Sequence, residues 1–288
     1  MQRVGVTVHP TRPVEEALDV LRAWTAEHRV ELVQVPAGEQ PPVAPAGSVS
    51  ACDVVVALGG DGTVLKALHV ASRTRTPVLG VSYGSLGALA AVAHERLAEG
   101  LDRFAAGDWI AGRLPALGLH DGVPEPVWAI NDLAFVRRGG TQLVLDVYVA
   151  DELYVRLAGD GIVVATALGS SAYSMAAGGA VLTAGTNAFI CTPLAMHGGC
   201  APPIVVPDDR RVTLEVHPGH DGFDVGLDGF RVELDGERFV IALQRDHATL
   251  VRFEEVASGI ARLRERELIT DSPRVLARDG RALAARDR

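Results

Sequence analysis

The chain has 288 residues, 48% of them hydrophobic, and a formal net charge of −9. That length and apolar content suffice for one large or two ordinary domains with a real core, whereas the acidic balance argues against a broad nucleic-acid or anionic-membrane footprint. Three cysteines (Cys52, Cys191, Cys200) without metal-ligand spacing, no N-terminal signal and no long apolar span complete the expectation of a reduced, cytoplasmic, soluble protein without nucleic-acid or membrane partners.

In chain order, Arg3 to His9 reads as a strand, Val14 to His28 as an amphipathic helix and Val30 to Val35 as a strand. The Pro/Gly-rich stretch Val35 to Gly47 reads as a loop and Asp53 to Leu58 as a buried strand. A glycine turn, a helix near Val64 to Arg73 and a short strand at Pro77 to Val81 follow. This alternation predicts an α/β domain over residues 1–112, a Rossmann-like parallel sheet covered by helices. After about Arg113 the texture changes to period-two runs: Val127 to Arg137, Gln142 to Ala150, Leu153 to Ala158, Ile162 to Thr166, Phe189 to Pro193, Val212 to His217, Phe230 to Leu234, Arg238 to Leu243 and Thr249 to Phe253. They predict a β-rich, sandwich-like second domain over 113–256. A helical insertion is expected at Ser170 to Leu182. The tail, 257–288, is expected to be helical and to pack back on the N-terminal domain, with Arg262 to Glu267 a solvated face.

The first segment that points to chemistry is Gly59-Gly60-Asp61-Gly62-Thr63, between a buried strand and a helix. Glycines there allow positive φ and close backbone approach, Thr63 can cap the helix, and the first helical amides attract anions. An aspartate inside a phosphate cradle is unfavourable by itself. Asp61 should therefore bind Mg²⁺ or take a proton from an attacking hydroxyl. A bare Asp-Gly turn is the plain alternative, and the chain has others at Asp121-Gly122, Asp221-Gly222, Asp228-Gly229, Asp235-Gly236 and Asp279-Gly280. What sets Asp61 apart is the strand-to-helix position, where parallel sheets bind ligands. Lys66 is the only lysine, and Leu65 before it excludes a Walker A loop.

In the second segment, Gly159 to Gly179, Asp160 precedes a strand and Gly169-Ser170-Ser171 opens a helix, while Tyr173 can stack on a base or sugar; an ordinary cap and close packing would look similar. The third is Asn131-Asp132, which can bond ribose hydroxyls or an adenine edge, or simply end a strand. His197 beside glycines reads as structural rather than phosphate-binding, and Cys191 and Cys200 as small buried fillers.

Together these segments resemble the NAD kinase family. GGDGT before a helix, Asn131-Asp132 in place of the usual Asn-Glu, the Gly159 to Gly179 block, Val206-Pro207-Asp208-Asp209 and Leu234-Asp235-Gly236 occur in the family's order over roughly Val54 to Val240. GGDGT alone would also fit diacylglycerol, sphingosine and phosphofructokinase-type kinases. The resemblance implies a two-domain NAD kinase-like architecture with the site in the cleft between an α/β and a β-rich domain. Asp61 would activate the adenosine-ribose 2′-hydroxyl of NAD, with ATP and Mg²⁺, or another triphosphate or polyphosphate, as donor at Gly59, Gly60, Gly62 and Thr63. Asn131 and Asp132 would hold the ribose or base, and Ser171, Ala172 and Tyr173 would line the adenosine pocket. Asp160 would reach a neighbouring subunit's ligand, which implies a homodimer or homotetramer.

The chain departs from the family where Gly80 to Ala88 lacks the usual asparagine and places Ala88 where a phenylalanine is usual. Thr166 to Ser171 and His197 to Pro203 are altered as well, and the latter loses an arginine and serines. Three readings follow: an NAD kinase, a divergent kinase for a hydroxyl of another nucleoside or specialised metabolite, and a non-catalytic dinucleotide sensor.

Overall fold

Valine-rich runs buried on both faces belong in the middle of a covered parallel sheet. The computed structural model, which describes residues 1–83, 87–121, 125–234, 236–253, 259–265 and 267–278, places them there. Strands β1 (Arg3–Val8), β2 (Glu31–Gln34), β3 (Val54–Leu58) and β4 (Val78–Ser82) run parallel in the order β2-β1-β3-β4. Helix α1 (Glu15–Glu27) buries Leu18, Leu21 and Trp24 in one core with Val4, Val6 and Val56. Helix α2 (Asp61–Ser72) buries Val64, Leu65 and Leu68 in another with Val33, Val55 and Val78, so the sheet is covered on both faces. Strand β5 (Val92–Ala93) and helix α3 (Leu97–Ala105) follow, and Leu97, Leu101 and Phe104 extend the first core; neither element was legible in the sequence.

The parallel sheet does not stop there. Strand β6 (Ile110–Leu119), also unforeseen, pairs antiparallel with a long late strand that itself lies parallel to β4. The runs Arg238 to Leu243 and Thr249 to Phe253, expected as two strands, are this one strand of 15 residues (Arg238–Arg252), whose register shifts between Gln244 and Ala248. The polar residues Arg245, Asp246 and His247 imitate a turn in the sequence, but they form a bulge. Beyond it the sheet continues antiparallel through Arg211–His217, Leu143–Val149 and Glu152–Gly159.

A second sheet, entirely antiparallel, has the order Ile204–Pro207, Ala188–Leu194, Gly161–Ala165, Asp132–Arg137, Phe223–Leu227, Phe230–Val232. Its Phe135, Ile162, Val164 and Phe189 pack with Leu145, Leu214, Phe239 and Ile241 of the large sheet, giving the sandwich that the alternation predicts. Val127 to Arg137 is not one strand. Val127–Ala129 pairs with β6 in the large sheet, while Asp132–Arg137 belongs to the second, so Ile130 and Asn131 carry the chain from one sheet to the other.

The helix expected over Ser170 to Leu182 is a 3₁₀ turn, Gly169–Ser171, and four helical residues, Tyr173–Ala176. Gly178, at φ +87°, comes after the C-cap Ala177, and such a conformation ends a helix. Residues 1–255 form one compact unit and 256–288 another, the latter with helical stretches at Gly259–Glu265 and 273–278. Among the described residues no helix is long and apolar enough to cross a membrane. Gly84, Ser85 and Leu86 of the altered glycine motif, together with Gly122, Asp235, Ala257, Arg266, Asp279 and Gly280, lie outside the described residues.

Candidate active site

β3 ends at Leu58, Gly59 is buried, and Gly60 (φ −87°, ψ −175°) is the N-cap of α2, so Asp61 is the first helical residue. The helix thus begins three residues before the expected start. Thr63 is not its cap: it is buried inside the first turn, against Gly59, where an added Cβ would lie 2.3 Å from Thr63 Oγ1. Nor do Gly59, Gly60 and Gly62 adopt positive φ. They provide room instead. A Cβ on exposed Gly62 would meet nothing within 4 Å, so the helix N-terminus is open to an approaching anion.

One cation, Arg12, stands against this loop, and the charge of a second, Lys66, is felt at His9. A Cβ on Gly60 would lie 3.6 Å from an Arg12 guanidinium nitrogen, and His9 has its pKa lowered by burial, then by the charges of Arg12 and Lys66. The Lys66 ammonium sits 5.1 Å above the Phe230 ring. No motif marks Arg12, because its place is set by the loop after β1 and not by sequence spacing to the glycines.

The Asp61 carboxylate is clasped by the segment after β4: Ala88 N–H donates to Oδ2 and Leu89 N–H to Oδ1, each at 3.0 Å. A Cβ on Gly87 would fall 2.1 Å from Asp61 Oδ1, so glycine there leaves the carboxylate in this position. Each carboxylate oxygen accepts one backbone bond here, and a carboxylate has about four acceptor sites in all, so capacity remains for a hydroxyl. Tyr83 does not replace the phenylalanine absent at position 88: its ring stacks on His94 at 4.6 Å and its hydroxyl donates to Val14 O.

The Asn131-Asp132 crossover is fixed from two sides. Thr166 donates through Oγ1 to Ile130 O (2.7 Å) and through its amide to Asn131 O (2.9 Å), and Gly169 lies so close that a Cβ would meet Asn131 O at 2.0 Å. From the other side Asp228 accepts the N–H groups of Ile130, Asn131 and Asp132. Asn131 Oδ1 is buried with no hydrogen-bond partner, a costly state that a ligand donor would relieve. In the sequence Asp228-Gly229 is one of several Asp-Gly turns. The flanking strand pattern could have revealed the hairpin, but not what its carboxylate touches.

Asp132 is buried, and desolvation followed by the nearby Asp228 charge pushes its carboxyl from 3.8 up to about 6. The folded protein therefore retains a proton through a window in which the unfolded chain has lost it. Stability falls as pH rises from 3.8 to about 6 and the penalty is complete above that; its ceiling is about 3 kcal/mol. Asp132→Asn is accordingly expected to raise Tm at pH 8 while leaving it nearly unchanged at pH 4. Equal shifts at both pH values in thermal melts would contradict the buried charge.

The Ser170 and Ser171 hydroxyls are committed to the backbone around the turn. Ser170 donates to Ala167 O and accepts from Leu182 N–H, and Ser171 donates to Leu168 O. Ala172 and Tyr173 are exposed, and Tyr173 shares a concavity of about 460 Å³ with Arg137 and Asp160, which pair at 2.5 Å. His197 is exposed and pairs with Gln142 through Nδ1. Cys191 is buried, its thiol pushed up to about 12 by desolvation, but Cys200 is exposed on a glycine loop and is no core filler.

The ATP-NAD kinase N-terminal domain model matches residues 16–109 and the ATP-NAD kinase C-terminal domain model residues 130–244. The NAD kinase of Heliobacterium modesticaldum is 33% identical over 238 residues, 76% of this chain and 82% of that protein. The fold is similar to yeast NADH kinase complexed with NADH, at TM-score 0.74 and 20% identity over 89% of this chain and 84% of the other. It is also similar to an NAD kinase from Archaeoglobus fulgidus in complex with ATP, at TM-score 0.71 and 24% identity over 88% and 94%.

Proposed function

This chain belongs to the NAD kinase family and is a phosphotransferase that phosphorylates NAD from ATP, and we propose that Asp61 is its base and the adenosine-ribose 2′-hydroxyl the acceptor. The observation that carries this reading is the clasped Asp61 carboxylate at an open helix N-terminus. The Ala88 and Leu89 amides orient it without exhausting its acceptors, so it can take the hydroxyl proton as the phosphoryl group transfers. The amides of the glycine loop, with Arg12 and Lys66, would hold the phosphates, and the chain's task is mainly to position the two reactants.

Mg²⁺ ordinarily takes one or two carboxylates plus substrate phosphates, and the loop offers one carboxylate, Asp61, which fits a metal arriving with ATP. Bound there, it would neutralise charge on the phosphate oxygens. Asn131, through its unpartnered Oδ1, and Asp132 would receive hydrogen bonds from the ribose or base. Ser171, whose hydroxyl is committed, Ala172 and Tyr173 would contribute shape and stacking. Tyr173 and Asp160 on an open concavity support completion of the site by a second copy in a cytoplasmic homodimer or homotetramer; a monomer in sedimentation equilibrium would remove that part.

Ala88 favours one further reading, a wider acceptor range, because Tyr83 is turned away from the space. Restoring an aromatic wall with Ala88→Phe is expected to raise kcat/KM for NAD about tenfold, the lower end of what lost base stacking costs. ATP consumption measured with NAD, NADH and adenosine nucleosides on both proteins checks this. No NAD phosphorylation by either would contradict the NAD reading and leave another hydroxyl as acceptor.

A further inference from the structure

The hairpin between Phe223–Leu227 and Phe230–Val232 closes through Asp228 (φ +50°) and Gly229 (φ +81°), the left-handed pair that a two-residue type I′ turn requires. Asparagine serves the first position of such a turn at least as well, so the hairpin itself does not need a carboxylate. Yet the Asp228 side chain is completely buried as one. It accepts from Asn131 N–H at 2.6 Å, Ile130 N–H at 2.8 Å and Asp132 N–H at 3.0 Å, and His69 Nε2 stands 2.7 Å from Oδ2. A carboxylate only accepts, so Nε2 carries the proton. The Asp228 amide in turn donates to Asp132 O at 2.9 Å.

A buried charge is tolerated only when it is hydrogen-bonded, and here most of the bonds go to one place, the crossover that presents Asn131 and Asp132. An amide at 228 would have one acceptor atom where three N–H groups and an imidazole N–H converge. His69 lies on α2 eight residues after Asp61, about 12 Å along the helix axis. One carboxylate therefore ties the helix that carries the base to the turn that carries the acceptor contacts.

We propose that Asp228, oriented by His69, is a positioning residue that sets the Asn131-Asp132 turn for acceptor binding. This rests on the NAD-phosphorylating reading above and names a residue outside it. Asp228→Asn keeps the turn chemistry, so circular dichroism should show a folded protein. Its Kd for NAD by calorimetry and its KM for NAD should rise at least about tenfold, with KM for ATP within about twofold of wild type. On an Asn131→Ala background the same change should add little, because both act through one contact. His69→Gln, which retains an N–H donor, should keep NAD affinity, whereas His69→Leu should weaken it severalfold. Unchanged NAD affinity in Asp228→Asn, or penalties that multiply independently with Asn131→Ala, would overturn the proposal while leaving the kinase reading intact. A wild-type protein that neither binds nor phosphorylates NAD would overturn both. Should Asp228→Asn fail to fold, the histidine pair decides the matter, and equal affinities for Gln and Leu would overturn it.

Discussion

Asp61→Asn should lower kcat for NAD phosphorylation by about 10²- to 10⁴-fold, the range that a positioned general base contributes. Asparagine has the same size at the start of α2, and its carbonyl oxygen can still accept one of the two backbone bonds now made to Ala88 and Leu89 N–H. Its other atom is an NH₂ donor, which opposes the remaining N–H and cannot take a proton. The fold and the Asn131-Asp132 contacts survive, so KM for NAD should move little while kcat collapses. Steady-state kinetics on a protein with wild-type circular dichroism separates these quantities. Turnover near wild type would remove the base assignment.

Gly87→Ala is the second change expected to have a large effect, and its logic is steric rather than electronic. The new Cβ would lie 2.1 Å from Asp61 Oδ1 and 2.7 Å from its carboxyl carbon, well inside van der Waals contact. Either the carboxylate rotates away or the 87–89 segment retreats and both N–H bonds are lost. A displacement of about 1 Å at a reacting group can cost 10²-fold, so a kcat loss of at least about that size is expected. Gly140→Ala serves as the control, since an added Cβ there meets nothing within 4 Å; it should behave as wild type. Wild-type kcat in Gly87→Ala would show that the clasp on Asp61 is irrelevant to turnover.

Elements whose pattern is local were legible from the residues. The strand Val54–Leu58 stands out as an uninterrupted aliphatic run, Arg3–Val8 and Val78–Ser82 as short valine-rich ones, and α1 as an amphipathic stretch. Helix α3 was missed because Gly100 lies within it and its apolar stripe, Leu97, Leu101 and Phe104, has only three members. The run Val127 to Arg137 concealed a change of sheet, since period-two alternation records which face a residue takes but not which sheet it joins. Asp61 was readable from the glycines around it. Its clasp by Gly87, Ala88 and Leu89, and the grip of Asp228 on residues 130–132, join segments far apart in the chain, so only the folded chain displays them.

Every role proposed above depends on this site moving a phosphoryl group from ATP onto NAD by way of Asp61. The most direct measurement supplies the wild-type chain with ATP, Mg²⁺ and NAD and follows NADP by its reduction through an NADP-specific dehydrogenase, with ADP measured in parallel. NADP should accumulate in step with ADP in the wild type and cease in Asp61→Asn. ADP release without NADP, or equal NADP formation by both proteins, would contradict it.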